Sequence, residues 1–96
     1  MNPQAIKHLE RFFKGLGNRR RLAIIKILAQ EREMSVADIS RYINLSFTST
    51  SKHLRILHQL DILDRRQESL TVYYRLANPL PPTLKQLIPT ISNSRE

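Results

Sequence analysis

The stretch Ser46-Phe47-Thr48-Ser49-Thr50-Ser51-Lys52-His53-Leu54-Arg55-Ile56-Leu57-His58-Gln59 combines hydroxyls, amides and cations and contains no carboxylate. Read as a helix from about Ser46 to Leu60, it places Thr50, His53, Leu54, Leu57 and Leu60 on one side. Thr48, Ser51, Lys52, Arg55 and Gln59 fall on the other. Solvated helix faces normally mix both charge signs, so a face without acid complements a polyanion. Hydroxyls at a helix N-terminus bind phosphate with help from the helix dipole. Lys52 and Arg55 are long enough to reach phosphates or base edges, and arginine is the better bidentate partner for guanine. Phe47, at the boundary of the face, suits either a thymine methyl or a staple of the turn. The first turn is poor in helix formers, so its composition serves something other than helix stability.

Further cations cluster at two places. Arg65 and Arg66 lie on a predicted hairpin, where basic residues contact phosphates or the minor groove; a screened surface pair with Asp64 or Glu68 is the plainer reading. Arg19, Arg20 and Arg21 open a helix, a placement that opposes its dipole. Arg19 and Arg20 are candidate phosphate contacts, and Arg21 reads as a structural salt-bridge residue. His53, on the inner side of its helix, reads as a half-buried packing residue bonded to backbone. Catalysis has no support: there is no cysteine, no Gly-x-Ser-x-Gly and no glycine-rich phosphate loop. His8, His53 and His58 form no i, i+4 ligand pair. No enzyme activity, metal or cofactor is expected.

The elements that must position these groups follow from spacing. Asn2-Pro3 starts a helix with Ile6, Leu9, Phe12, Phe13 and Leu16 on its apolar face, ending at Gly15-Leu16-Gly17. Asn18 caps a second helix, Leu22 to Ala29, apolar nearly all round and therefore central. Glu31-Arg32-Glu33 is a polar turn. Ser35-Val36-Ala37-Asp38 resembles a capping box for a short third helix carrying Val36, Ile39 and Ile43, stopped at Asn44. After the fourth helix, Asp61 provides a left-handed stop. Ile62 to Gln67 is a strand, and Leu70, Val72, Tyr74 and Leu76 alternate with Thr71, Tyr73 and Arg75 in another, Tyr73 and Tyr74 serving strand packing. A final segment carries Leu84, Leu87, Ile88 and Ile91, with Pro89 expected to kink or shorten it. The result is mainly α with a small β-hairpin: about five helices plus a two-stranded wing, a winged helix-turn-helix.

Composition sets the outer bounds. The 96 residues hold 16 Lys or Arg against 8 Asp or Glu, a formal charge of +8, and pI is about 10.6. One domain, residues 1–96, is expected at this length. Its core is thin, and without cysteine no disulfide or thiolate site supports it, which leaves oligomerisation. No apolar run approaches the roughly 18 residues of a membrane span, and MNPQAIKHLERFFK has no signal-peptide core, so no membrane contact and a cytoplasmic location are expected. The charge calls for a polyanionic partner, most simply nucleic acid.

Several stretches carry a resemblance. Leu16-Gly17-Asn18-Arg19-Arg20-Arg21-Leu22-Ala23-Ile24-Ile25, Ser35-Val36-Ala37-Asp38-Ile39, Leu45 through Leu57, Leu63-Asp64-Arg65-Arg66 and Val72-Tyr73-Tyr74-Arg75-Leu76 are similar to the ArsR/SmtB-type (arsenic-repressor-like) winged-helix regulators. The fourth-helix pattern L-S-x-[ST]-x-x-S-x-H-L-x-x-L and a wing ending Tyr-Tyr-x-Leu carry it jointly. The resemblance implies a homodimer built on the first and last helices, here through Ile6, Leu9, Phe13, Leu84, Leu87, Ile88 and Ile91. It also implies a repressor bound to a palindromic operator in double-stranded DNA. Phe47, Thr48, Ser51, Lys52, Arg55, Gln59, Arg65 and Arg66 are then the DNA-binding residues. The departures matter: Ser35 to Ser40 has no Cys-x-Cys, Pro82 to Ile88 has no His or acid, and the wing lacks its usual glycine. Metal and thiol sensing are therefore not expected, and any small-molecule effector is unnamed. A winged helix serving protein interaction or RNA binding is the alternative.

Overall fold

Four helix starts rest on capping bonds visible in the computed structural model, which describes residues 2–95. Helix α1 (Pro3–Leu16) begins at Asn2, whose side chain accepts the Gln4 N–H at 2.9 Å, with Pro3 in the first turn. Helix α2 (Arg19–Gln30) begins at Asn18, which accepts from the N–H groups of Arg20 and Arg21. Ser35 accepts from Asp38 to start α3 (Val36–Ile43), and Ser46 accepts from Ser49 to start α4 (Phe47–Gln59), both at 3.1 Å. α1 runs through Gly15 and stops at Gly17, whose N–H donates to the Phe13 carbonyl at 2.9 Å. Gly15 is instead a point of close approach: a Cβ there would stand 2.2 Å from Leu60 Cδ1.

Between α3 and α4, Asn44 adopts the left-handed conformation (φ 55, ψ 55), and the Leu45 N–H donates to Ser40 O at 3.0 Å. This fixes a tight turn between the two helices. α2 lies centrally, burying Ile24, Ile25, Ile27 and Leu28 against Phe12 and Leu16 of α1, Ile39 of α3, and Leu54 and Leu57 of α4. The last helix, α5 (Pro82–Ser92), packs on α2. It runs through Pro89 rather than shortening there. The missing N–H would have served the carbonyl of Lys85, an exposed residue whose carbonyl water can satisfy. Leu84, expected at a dimer interface, is 0% exposed within the protomer's own core. An apolar stripe does not distinguish a self-contact from a partner contact, and here packing on α2 takes the residue.

The sheet has three strands in the order β1-β3-β2, all antiparallel: β1 (Met34–Ser35), β2 (Leu63–Glu68) and β3 (Thr71–Leu76). β1 goes beyond the expected hairpin; it pairs Met34 and Ser35 with Tyr74 and Tyr73 and so ties the wing to the start of α3. Glu68 faces Thr71, leaving Ser69-Leu70 as a two-residue turn. Leu70 was expected as the first apolar residue of the second strand. It sits at the tip, 95% exposed, and the inward alternation begins only at Val72. Among the described residues the architecture is five helices with a small sheet whose β2–β3 hairpin forms the wing of a winged helix-turn-helix.

Ser69 has φ 55 where this turn prefers glycine. A left-handed non-glycine residue costs about 1–2 kcal/mol, and glycine's extra chain entropy takes back part of that. Ser69→Gly should therefore raise stability by about 0.5–1 kcal/mol, a Tm increase of about 2–8 °C. A thermal melt showing no rise would mean the turn is not strained.

Candidate nucleic-acid interface

α4 is held by its inner face: Leu54 and Leu57 are fully buried, and so is Thr50, whose hydroxyl has no partner among the described residues. The opposite face presents Phe47, Thr48, Lys52, Arg55 and Gln59, all exposed, with Ser51 half-buried at its margin. The helix contains no acid, and neither Lys52 nor Arg55 enters an ion pair among the described residues. Two further exposed side chains, one on α4 and one on α3, were not singled out from sequence. Ile56 lies one turn beyond Lys52, and Tyr42 is 49% exposed on α3. The helical wheel already carried Ile56, but its apolar type hid it.

The wing separates its two arginines. Arg66 bonds Glu33 through Nε and a terminal nitrogen at 3.2 and 2.8 Å, holds Glu68 at 2.8 Å and stacks 4.5 Å over the Tyr73 ring. It therefore clamps the hairpin to the turn before β1, and the plainer surface-pair reading describes it, with Glu33 as an added partner. Hydrogen bonding by Arg66 holds the Glu33 carboxyl below its usual range. Arg65 is exposed and makes no ion pair among the described residues, so it remains the open cation of the wing.

The basic start of α2 also divides. Arg19 is exposed. Arg20 donates to the carbonyls of Ile43 and Asn44 at 2.7 and 3.3 Å, closing the C-terminal end of α3 rather than standing ready for phosphate. Arg21 donates to Gly15 O at 2.6 Å and Lys14 O at 3.4 Å, and it contacts His53 Nδ1 at 3.1 Å. Its expected salt bridge is replaced by the carbonyls that end α1 and by an imidazole. Reciprocally, the partner of His53 is Arg21 and not the backbone.

Because guanidinium does not give up its proton, His53 Nδ1 must accept, and the imidazole is neutral with its proton on Nε2. Burial first, then the charges of Arg21 and Arg20, push the His53 pKa below its ordinary 6.5. The folded value thus lies below the unfolded one, so the unfolded chain binds more protons in between. The contribution to stability is complete above about pH 6.5 and is lost as pH falls through the folded value. Stability should therefore fall between pH 7.5 and pH 5, and His53→Gln should flatten that fall. Urea unfolding at both pH values checks it; equal pH dependence in both proteins would refute the assignment.

A second surface lies on α1, where Ile6, Leu9 and Phe13 are 46%, 42% and 51% exposed. On α5, Leu87, Ile88 and Ile91 are half-buried against the core. For a metal, the positions that the resemblance would use hold Ser35 to Ser40 without a thiolate and Pro82 to Ile88 without His or acid. Among the described residues no three His, Cys, Asp or Glu side chains converge. These residues do not fit a resident metal.

The profile of the family described as "Bacterial regulatory protein, arsR family" matches residues 18–65, half of the chain, from the cap of α2 into β2. The chain belongs to the ArsR family. It is similar to the cadmium resistance transcriptional regulatory protein CadC of Listeria innocua, at 39% identity over 67 residues, 70% of this chain and 56% of that protein. It is also similar to the transcriptional activator HlyU of Vibrio cholerae, at 35% identity over 65 residues, 68% of this chain and 59% of that one. The chain thus spans somewhat more than half the length of these curated relatives. The solved HlyU structure superposes with TM-score 0.76 at 28% identity, covering 95% of this chain and 94% of that one. The homodimeric winged helix-turn-helix DNA-binding domain of a possible ArsR-family regulator from Mycobacterium bovis gives TM-score 0.76 at 28% identity, covering 95% and 82%. The family's description and the names of these relatives are those of transcriptional regulators. Among its described residues no helix is long and apolar enough to cross a membrane.

Proposed function

We propose that this ArsR-family chain is a single DNA-binding domain that acts as a homodimeric transcriptional repressor on a palindromic operator. Each protomer inserts α4 into the major groove and lays its wing on the flanking backbone or minor groove. The observation that carries this reading is the outward face of α4. Thr48, Lys52, Arg55 and Gln59 stand exposed together on a helix without a carboxylate. On this reading Arg65 is the wing's phosphate contact, while Arg66 holds the hairpin that carries it. The apolar stripe of Ile6, Leu9 and Phe13 supports pairing along α1, with Leu87, Ile88 and Ile91 of α5 completing the interface. Two-fold symmetry then sets half-sites about one helical turn apart. Repression follows from occupying a promoter.

Selection from random duplexes tests the reading, followed by affinity measurements on the selected sequence, a scrambled duplex and an RNA hairpin across a salt series. A palindromic consensus, bound more tightly than the scrambled duplex and the RNA, with affinity falling steeply with salt, is expected. Equal affinity for all three would leave only non-specific polyanion binding, and no affinity for any would return the fold to a protein-interaction role.

A further inference from the structure

Beside the outward face of α4 lies an open cleft of about 200 Å³ between the C-terminal half of α1, the start of α2 and the second half of α4. Arg11, Lys14, Arg21, Ile56 and Gln59 line it, and none of the lining residues is acidic. Its cations differ in kind. Arg11 is exposed and has no ion pair or side-chain hydrogen bond among the described residues. Lys14 meets Glu10 at 3.5 Å, but both side chains are largely exposed, so the pair is weak and readily displaced. Arg21 is fixed: three of its five donor hydrogens are committed to Gly15 O, Lys14 O and His53 Nδ1, leaving two. The carbonyls that end α1 are thereby satisfied and do not oppose a negative ligand. One anchored guanidinium with two adaptable cations and an amide around it is a donor set for a tetrahedral oxyanion.

We propose that the Arg11–Lys14–Arg21–Gln59 cleft binds a phosphate-type oxyanion. That chemistry has two sources: a backbone phosphate of the duplex read by α4, or a free phosphate group in solution. Gln59 belongs to the exposed face that includes Lys52 and Arg55, so the cleft continues that face onto α1, and the first source rests on the DNA-binding reading above. The second does not depend on it. In either case the bound anion touches α1, α2 and α4 together. The sequence held a sign of this in Lys7, Arg11 and Lys14, which recur at helical spacing along one side of α1.

The test uses the full chain and the double variant Arg11→Gln/Lys14→Gln, both substitutions being on exposed side chains. Inorganic phosphate is titrated at constant ionic strength against chloride, following the Gly15 backbone amide and the Gln59 side-chain amide by NMR. Saturable shifts in the wild type that vanish in the double variant are expected. In parallel, duplex affinity is measured across a potassium chloride series. If a DNA phosphate occupies the cleft, the log–log slope should fall by about one to two in the variant dimer. Phosphate shifts with an unchanged slope assign the site to a free oxyanion, and a reduced slope assigns it to the DNA backbone. Shifts that are absent, or equal in both proteins, together with equal slopes overturn the site. A wild type that binds no duplex sinks the DNA-binding reading and leaves the phosphate titration to decide the cleft.

Discussion

Replacing Arg55 by alanine is expected to cost about 1–3 kcal/mol of specific DNA binding per protomer, the worth of a bidentate contact to a base edge. The side chain stands exposed on α4 without an ion pair among the described residues, so it is ready for a partner outside the chain. In a two-fold complex the loss occurs twice, about 2–6 kcal/mol, or roughly 30-fold to 10⁴-fold in affinity. Non-specific affinity should fall far less, and discrimination should relax at one base position in each half-site. Lys52→Ala should act more uniformly across sequences if it meets phosphate. Fluorescence anisotropy on operator and scrambled duplexes separates these patterns; an Arg55→Ala protein that binds both as the wild type does would remove α4 from the interface.

The second large effect concerns assembly. Phe13→Asp should yield a monomer at micromolar concentration and abolish operator binding while leaving the protomer folded. Phe13 is 51% exposed, so about 100 Å² of ring surface awaits cover, worth about 2.5 kcal/mol per copy at 25 cal/mol per Å². A two-fold interface uses it twice, for about 5 kcal/mol, and the introduced carboxylates add desolvation. Phe12, next to it but 4% exposed, carries the protomer's own core, so the phenotypes should separate: Phe12→Ala destabilises folding, Phe13→Asp destabilises pairing. Sedimentation equilibrium reads the mass. A dimer of undiminished strength would move the interface off α1.

Features decided between near neighbours were legible in the sequence. Asn2, Asn18, Ser35 and Ser46 cap their helices because a cap is a bond across two or three residues, and the α4 face was legible because helical period alone assigns it. The same period could not tell that Leu84 faces inward to its own core while Phe13 does not, since both are apolar residues on amphipathic stripes. Roles set by distant partners stayed hidden. Arg20 looked free at a helix start, and Arg21 looked set for an acid, until folding brought the carbonyl ends of α3 and α1 to them. Arg66 found Glu33, and Met34-Ser35 became a strand only because β3 lies alongside. Leu70 misled because its alternation with Val72 runs on into the turn, whose second residue it is.

The bare Cα of Gly15 has a consequence for the DNA as well as the protein. With the Leu60 side chain lodged where a Cβ would stand, the C-terminal end of α4 approaches the α1 backbone more closely than any residue but glycine would leave room for. In a dimer paired along α1, two such close approaches then help to set the gap between the two reading helices. One base pair inserted between half-sites separates them by about 3.4 Å and turns one against the other by about 35°. A jointed protein could follow that change. Here that offset would have to part the α1–Leu60 contact, so the operator should be strict in spacing, and a single inserted base pair should weaken binding.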